Sequence, residues 1–365
     1  MFSGLSKLAD KSFVLGFFLP SLVGTLAFIV LNRDVEPFSK LLQESLQEKT
    51  LADLTVMLLA VWMLSVLLMA GSHWMYRVLE GYAWPLNNSR LRARQLERRK
   101  LQRTKVRAAY EAVSAAENLP NAPTVTSVHA EQQPLLNELK LDYLRLRRML
   151  ALEYPEEREL VLPTRFGNVL RAFEMYAGTV HGVESIHAWP RLLAVVPKDY
   201  QVTLADARAP VDFFVSLVFI SFMLGTAALV RGGVSLISGP ASAGPWGFGA
   251  IAVVAFAVVR LCYLAALASA IAWGEVVKST FDLYLPALAN AMGYELPKTA
   301  EARRQFWEAV ANQFQFHEPL NPEAWQTRAD PLPRTEDGTK SLEKHGEGDV
   351  GNESDDGDPE DEETT

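Results

Sequence analysis

Phe13–Leu31 reads FVLGFFLPSLVGTLAFIVL, a run without a single charge. A hydrocarbon layer needs about 20 apolar residues in a helix, whereas a soluble helix keeps a polar face. Three more such runs follow. Leu54–Tyr76 has no charge apart from the titratable His73, Phe213–Val230 has none, and about Trp246–Trp273 contains only Arg260. Between the last two, GGVSLISGPASAGP (Gly232–Pro245) reads as a Gly/Ser/Pro loop. The four runs predict an all-α integral membrane protein with four transmembrane helices. Lys7 and Lys11 precede the first run as in a signal peptide, but its length, Pro20 and the want of a small-x-small cleavage site favour an uncleaved anchor.

The net charge of −8 over 365 residues hides two populations. Thr335–Thr365 contains 13 acids and two lysines, while the preceding 334 residues hold 33 Lys and Arg against 30 Asp and Glu. The body is mildly basic. From about His317 the chain becomes Pro-rich and then acidic, poor enough in apolar residues to read as disordered. The single cysteine, Cys262, excludes an internal disulfide framework and a cysteine-based zinc site, and its apolar setting suits a small buried hydrophobe.

Basic residues orient the spans. Residues 32–53 hold three bases against five acids and 231–245 only Arg231, but 77–210 holds 20 bases, nine of them between Arg90 and Arg107. Lys and Arg concentrate on the cytoplasmic side, so both termini and 77–210 are expected there. Residues 1–76 then form a first pair of transmembrane helices (about 13–31 and 54–76) and 77–210 a cytoplasmic helical domain. Residues 211–273 form a second pair (about 213–230 and 246–273), 274–316 a cytoplasmic helical segment, and 317–365 the acidic tail.

Within the first cytoplasmic segment, SRLRARQLERRKLQRTKVR (Ser89–Arg107) opens a helix whose Leu91, Leu96, Leu101 and Val106 are too sparse for a core face. Two readings compete for Arg90, Arg92, Arg94, Arg98, Arg99, Lys100, Arg103, Lys105 and Arg107. They form either a solvated juxtamembrane face or contacts to anionic lipid, worth about 1 kcal/mol per basic residue near the surface. Nucleic acid is disfavoured, because no aromatic interleaving or binding fold accompanies the cations. Leu119–Ser127 is a break. Ala130–Leu152 then reads as a helix whose Leu136, Leu139, Tyr143, Leu146 and Leu150 pack on the basic one as an αα-hairpin. Further on, Pro163-Thr164 starts a helix, Asn168–Tyr176 has helical spacing, Trp189-Pro190-Arg191 reads as a turn, and Tyr200–Pro210 leads back to the membrane. After the fourth run two amphipathic helices are expected. Phe281, Tyr284, Leu285 and Leu288 face one way in the first; Phe306, Trp307, Val310 and Phe314 do so in the second.

Six motifs carry a resemblance: Pro163-Thr164-Arg165-x-Gly167-Asn168-x-Leu170-Arg171-Ala172-x-Glu174, Trp189-Pro190-Arg191-Leu192, Trp273-Gly274-Glu275-x-Val277-Lys278, Phe281-Asp282-Leu283-Tyr284, Phe306-Trp307 and Phe17-Phe18-Leu19-Pro20. With them the chain resembles a group of uncharacterised bacterial multi-spanning membrane proteins over most of residues 13–315. The resemblance implies a bacterial inner-membrane location and brings no activity with it.

Catalytic motifs fail on inspection. His181, Glu184 and His187 would spread over about 300° of a helix, which does not converge on a metal. Neither a Gly-rich phosphate loop, a Gly-x-Ser-x-Gly elbow nor a His-Glu-x-x-His pair occurs. The reading therefore leans away from an enzyme and assigns no cofactor, metal or catalytic residue. Arg165, Arg171, Glu174 and Arg191 form a candidate polar cluster, either a structural network or an anion pocket. Arg260, expected near the middle of the fourth span where a charge costs about 2.5–3.5 kcal/mol, lines a path or oligomer interface or else marks a shifted boundary. The leading expectation is an interaction, scaffold or sensing protein with an unidentified protein partner. The alternative is an oligomeric channel or small transporter using Arg260.

Overall fold

The structure, a computed structural model, describes residues 11–32, 51–118, 126–238, 244–321 and Trp325. Among these residues it contains ten helices and no strand. They are α1 (Lys11–Leu31), α2 (Leu51–Glu80), α3 (Ser89–Glu117), α4 (Thr126–Glu153), α5 (Arg165–Glu174), α6 (Tyr176–His181), α7 (Ser185–Val195), α8 (Lys198–Ser238), α9 (Gly244–Ala291) and α10 (Ala300–Phe316). Four of them, α1, α2, α8 and α9, are long and apolar enough to cross a membrane.

These four form a bundle in which α8 and α9 run antiparallel and α1 lies parallel to α8 on one flank. Small residues set the spacing. A Cβ on Gly24 would stand 2.6 Å from Cγ2 of Ile220, and one on Gly16 would stand 3.0 Å from Cβ of Asp212. Pro20 has no N–H to give the carbonyl four residues back. That carbonyl, on Gly16, instead accepts the Ser216 hydroxyl at 3.0 Å, and α1 widens locally to a π-helical turn over Val14–Phe18. The end of α1 is closed by Arg231, whose Nη1 donates to the Leu31 carbonyl at 2.8 Å and to Asn32 Oδ1 at 2.9 Å. A helix C-terminus leaves such carbonyls without intrahelical partners, and a cation suits them. This end of the bundle is called upper below.

At the lower end, α8 and α9 run on as helix far beyond their apolar stretches. At 41 and 48 residues they are about 60 and 70 Å long. Three expectations change here. Tyr200–Pro210 is no lead-in but the first turns of α8, which continues through Pro210. Gly232–Ser238, expected as loop, is helical, as are Gly244 and Pro245, and residues 239–243 lie outside the described residues. The first amphipathic segment after Trp273 is the continuation of α9. In each case an apolar or amphipathic face continues past the Gly or Pro, and packing outweighs the local breaker.

Around these extensions α5, α6, α7 and α10 assemble a base layer. Phe166, Leu192, Phe281, Leu285, Phe306, Trp307 and Val310 are buried in one core with the lower halves of α8 and α9. Thr164 caps α5, its Oγ1 accepting from Gly167 N at 2.9 Å. Gly167 allows α5 to lie against the end of α2, where a Cβ would come within 2.3 Å of the Glu80 carbonyl oxygen. Gly274 does the same for Phe173. The expected turn at Pro190 is instead helix, since α7 runs through it; Arg191 Nη1 donates to the His187 carbonyl at 2.7 Å. The stretch just after His317, expected to be disordered, is in part packed on the base layer. Leu320 is buried, and the Trp325 ring lies 5.4 Å from that of Phe306. Residues 326–365, with most of the expected tail, lie outside the described residues.

Candidate functional site

α3 and α4 leave the base layer as a two-helix arm about 40 Å long, from the 28 and 29 residues of its helices. Asn88 caps α3, its side chain accepting from Arg90 N at 2.8 Å. On α4 the expected stripe Leu136, Leu139, Tyr143, Leu146 and Leu150 is half-buried and its flanks are exposed. The seam is therefore thin, and polar contacts supplement it. Tyr154 donates to Gln95 at 2.9 Å, Gln102 to Glu153 at 3.0 Å, and Lys140 pairs with Glu117 at 2.8 Å.

The nine basic residues of α3 do not form one face. At about 100° per residue, Arg90, Arg94, Arg98 and Lys105 fall within about 80° of one another. Their side chains are exposed and make no hydrogen bond or ion pair among the described residues. The other five turn to the opposite flank. Two of them are structural, contrary to a uniform lipid-contacting role. Arg92 donates to the carbonyls of Val161 at 2.9 Å and Glu159 at 2.6 Å, and Arg99, only 6 % exposed, donates to that of Glu156. Together they clamp the loop after α4 onto α3.

On that second flank an open groove of about 1070 Å³ runs between the two helices. Six cations line it, Arg99, Lys100, Arg103, Arg107, Arg147 and Arg158, with Glu97 the one acid. Leu96, Val106 and Leu150 supply an apolar floor, and the Tyr110 and Tyr143 rings pack at 5.7 Å at its outer part. Among the described residues only Arg107 of these six is paired with a carboxylate, Glu111 at 2.9 Å. Burial, and then the neighbouring Arg103, lower the Arg99 guanidinium from its ordinary range. The groove is thus a concentration of cations with too few anions of its own.

A buried charge that sequence reading missed lies lower in the bundle. Asp212 is 8 % exposed. It accepts the Tyr76 hydroxyl at 2.7 Å and pairs with Arg208 Nε at 3.3 Å; the Arg208 guanidinium lies 5.8 Å from the Tyr76 ring and 5.7 Å from that of Trp273. The node ties α2, α8 and α9 together beside Gly16 of α1. The i,i+4 spacing of Arg208 and Asp212 was the available signal, obscured by Pro210 between them.

The other candidates separate. Arg165 pairs with Glu153 at 3.0 Å, at the root of the arm. Arg171 donates to the Tyr82 hydroxyl and pairs with Glu174 at 3.7 Å. Arg191 lies 3.9 Å from the Phe314 ring centre. They do not converge on one ligand. His181 Nε2 lies 2.8 Å from Asp282, which also accepts the Tyr176 hydroxyl at 3.0 Å, pushing that phenol up to about 12 through burial and this contact. Glu184 caps α7 and holds His187 Nδ1 at 2.7 Å. The two histidines thus serve different partners. Beside His181, Asp282, Arg303 and Trp307 border a hollow of only about 130 Å³. Arg260 is exposed on the outward face of α9 with Val253, Ala257 and Leu264, one turn above Tyr263, whose hydroxyl accepts from Phe166 N at 3.2 Å. It faces away from the bundle interior, and the buried span hydroxyls of Ser65 and Ser216 bond backbone carbonyls.

Compared with known proteins, the chain matches no family model, no curated protein and no solved structure.

Proposed function

We propose that this chain is a bacterial inner-membrane scaffold: four spans, both termini cytoplasmic, and a rigid base from which the α3–α4 arm binds anionic surfaces. The observation that carries the reading is the stripe Arg90, Arg94, Arg98 and Lys105, four exposed cations with no ion-pair or hydrogen-bond partner for their side chains among the described residues. It extends over about 22 Å of α3 and begins ten residues after α2 ends. Anionic headgroups attract each such cation by about 1 kcal/mol near the surface. Exposed Trp74 and Trp84 near the lower end of α2, with Trp246 at the upper start of α9, suit two interfacial belts. Protein partners recruited to the arm would meet the same stripe.

The test uses the full chain in phosphatidylcholine nanodiscs, with phosphatidylglycerol vesicles as the probe. Co-flotation is expected at low salt and is lost in about 1 M salt, where screening shortens to about 3 Å. Changing Arg90, Arg94, Arg98 and Lys105 together to Gln should weaken it at least tenfold. Undiminished flotation by that variant would overturn the reading.

A further inference from the structure

We propose that the acidic segment Thr335–Thr365 docks along the cationic groove between α3 and α4, as an internal anion that closes this flank of the arm. Arg99 is buried at the bottom of the groove, out of reach of a planar bilayer, whereas a single extended chain can lie between the helices. The charges are complementary. Six cations and one acid line the groove, and the segment brings 13 acids and two lysines. The apolar floor is small, and the segment has few apolar residues, Leu342 and Val350 among them. The attraction is therefore electrostatic and salt-sensitive.

Reach favours the same occupant. Trp325 is anchored on Phe306 in the base layer, and the groove opens at Leu150 and Arg158, beside the loop that enters α5 of that layer. From Trp325 the segment begins ten residues on and continues for 31 more. A flexible chain of 10–40 residues spans about 17–35 Å on average, and charged chains extend further. Tethering over such distances gives an effective concentration in the millimolar range. The consequence rests on the anionic-surface reading above. The segment occupies one flank of α3 and lowers the arm's total attraction for headgroups, while the stripe on the other flank remains open.

The experiment uses chains lacking residues 335–365, and full-length chains, both in phosphatidylcholine nanodiscs, with a fluorescent peptide of residues 335–365 as the probe. The truncated chain is expected to bind the peptide, and the full chain at least tenfold more weakly because its own segment competes. The triple variant Arg103→Gln, Arg107→Gln, Arg147→Gln of the truncated chain should lose at least tenfold in affinity, with its circular dichroism unchanged. The stripe variant (Arg90, Arg94, Arg98 and Lys105 to Gln) should keep it. Because the substituted groove residues are exposed, a folding defect is read separately from the dichroism. Should the variant unfold, single charge reversals at Arg103 and Arg147 replace it. Equal peptide binding by full-length and truncated chains overturns the proposal. So does binding that survives loss of the groove cations, or a groove that takes phosphatidylglycerol vesicles and not the peptide. Failure of the stripe variant to alter vesicle flotation would sink the anionic-surface reading while leaving peptide docking standing.

Discussion

Asp212 receives the Tyr76 hydroxyl on one oxygen and Arg208 on the other, so α2 and α8 share one buried carboxylate, with Trp273 of α9 beside the Arg208 guanidinium. Asp212→Ala removes the carboxylate that accepts from the buried Tyr76 hydroxyl, and an unsatisfied buried donor costs about 1–3 kcal/mol. Thermal unfolding in detergent should show a clear drop in Tm, whereas Asp206→Ala, at an exposed pair with Lys11, should change it little. Glu174 makes a different prediction. Burial lifts its carboxyl above the ordinary range, and Arg171 pulls it partly back. An acid whose pKa rises on folding binds more protons folded than unfolded, so stability declines as pH climbs from the ordinary carboxylate range through the raised value. Its side chain keeps 38 % of its surface, and water screens part of this effect. Glu174→Gln should flatten this decline of Tm as pH rises above the ordinary carboxylate range; a curve parallel to that of the parent chain would exclude this carboxyl as a contributor. At this scale the sequence was legible where a residue acts on its own turn, as Thr164 does in capping α5. Asp212 was not, because its meaning comes from Tyr76, 136 positions away.

Elements were legible wherever an apolar period persisted. The α4 stripe, the Phe281–Leu288 face and the Phe306–Phe314 face all turn inward as their spacing demands. Element ends were less so, because Pro210, Pro190 and Gly232-Gly233 are local breakers overridden by packing. The nine cations of α3 show the same divide. Their angles follow from the sequence, but which flank meets α4 depends on the clamp that Arg92 and Arg99 make on the 156–161 carbonyls. Packing of α1 on α8 yields a further prediction. Gly24 leaves no room for a side chain beside Ile220, and overpacking of this kind costs about 1–3 kcal/mol. Gly24→Leu should lower Tm in detergent and expose α1 to protease, while Gly71→Leu, where a Cβ meets nothing within 4 Å, should be tolerated.

Over the whole molecule, the four-run pattern anticipated the four long apolar helices, and the alternation of their directions places the arm and base at one end and Arg231 at the other. The proposed topology has a direct readout. In a Cys262→Ala background, an impermeant thiol reagent should label Ala115→Cys on the arm in inside-out vesicles and Ile237→Cys, 88 % exposed at the upper end, in spheroplasts. Labelling of both from the same side would refute it.

The length of α8 and α9 carries a last consequence. Neither changes from helix to loop on leaving the apolar zone, so no soft joint separates the part that would sit in lipid from the part that forms the base. Under the four-span reading, bilayer thickness then becomes a mechanical input. A helix that is too long for its layer tilts, at a cost of fractions of a kcal/mol per Å, and here the tilt would swing the base and arm with it. Spin labels at Ala115→Cys and Ile237→Cys should keep a similar separation in short- and long-chain lipids. The angle of the arm to the bilayer should shift, placing its cations nearer to or farther from the headgroups.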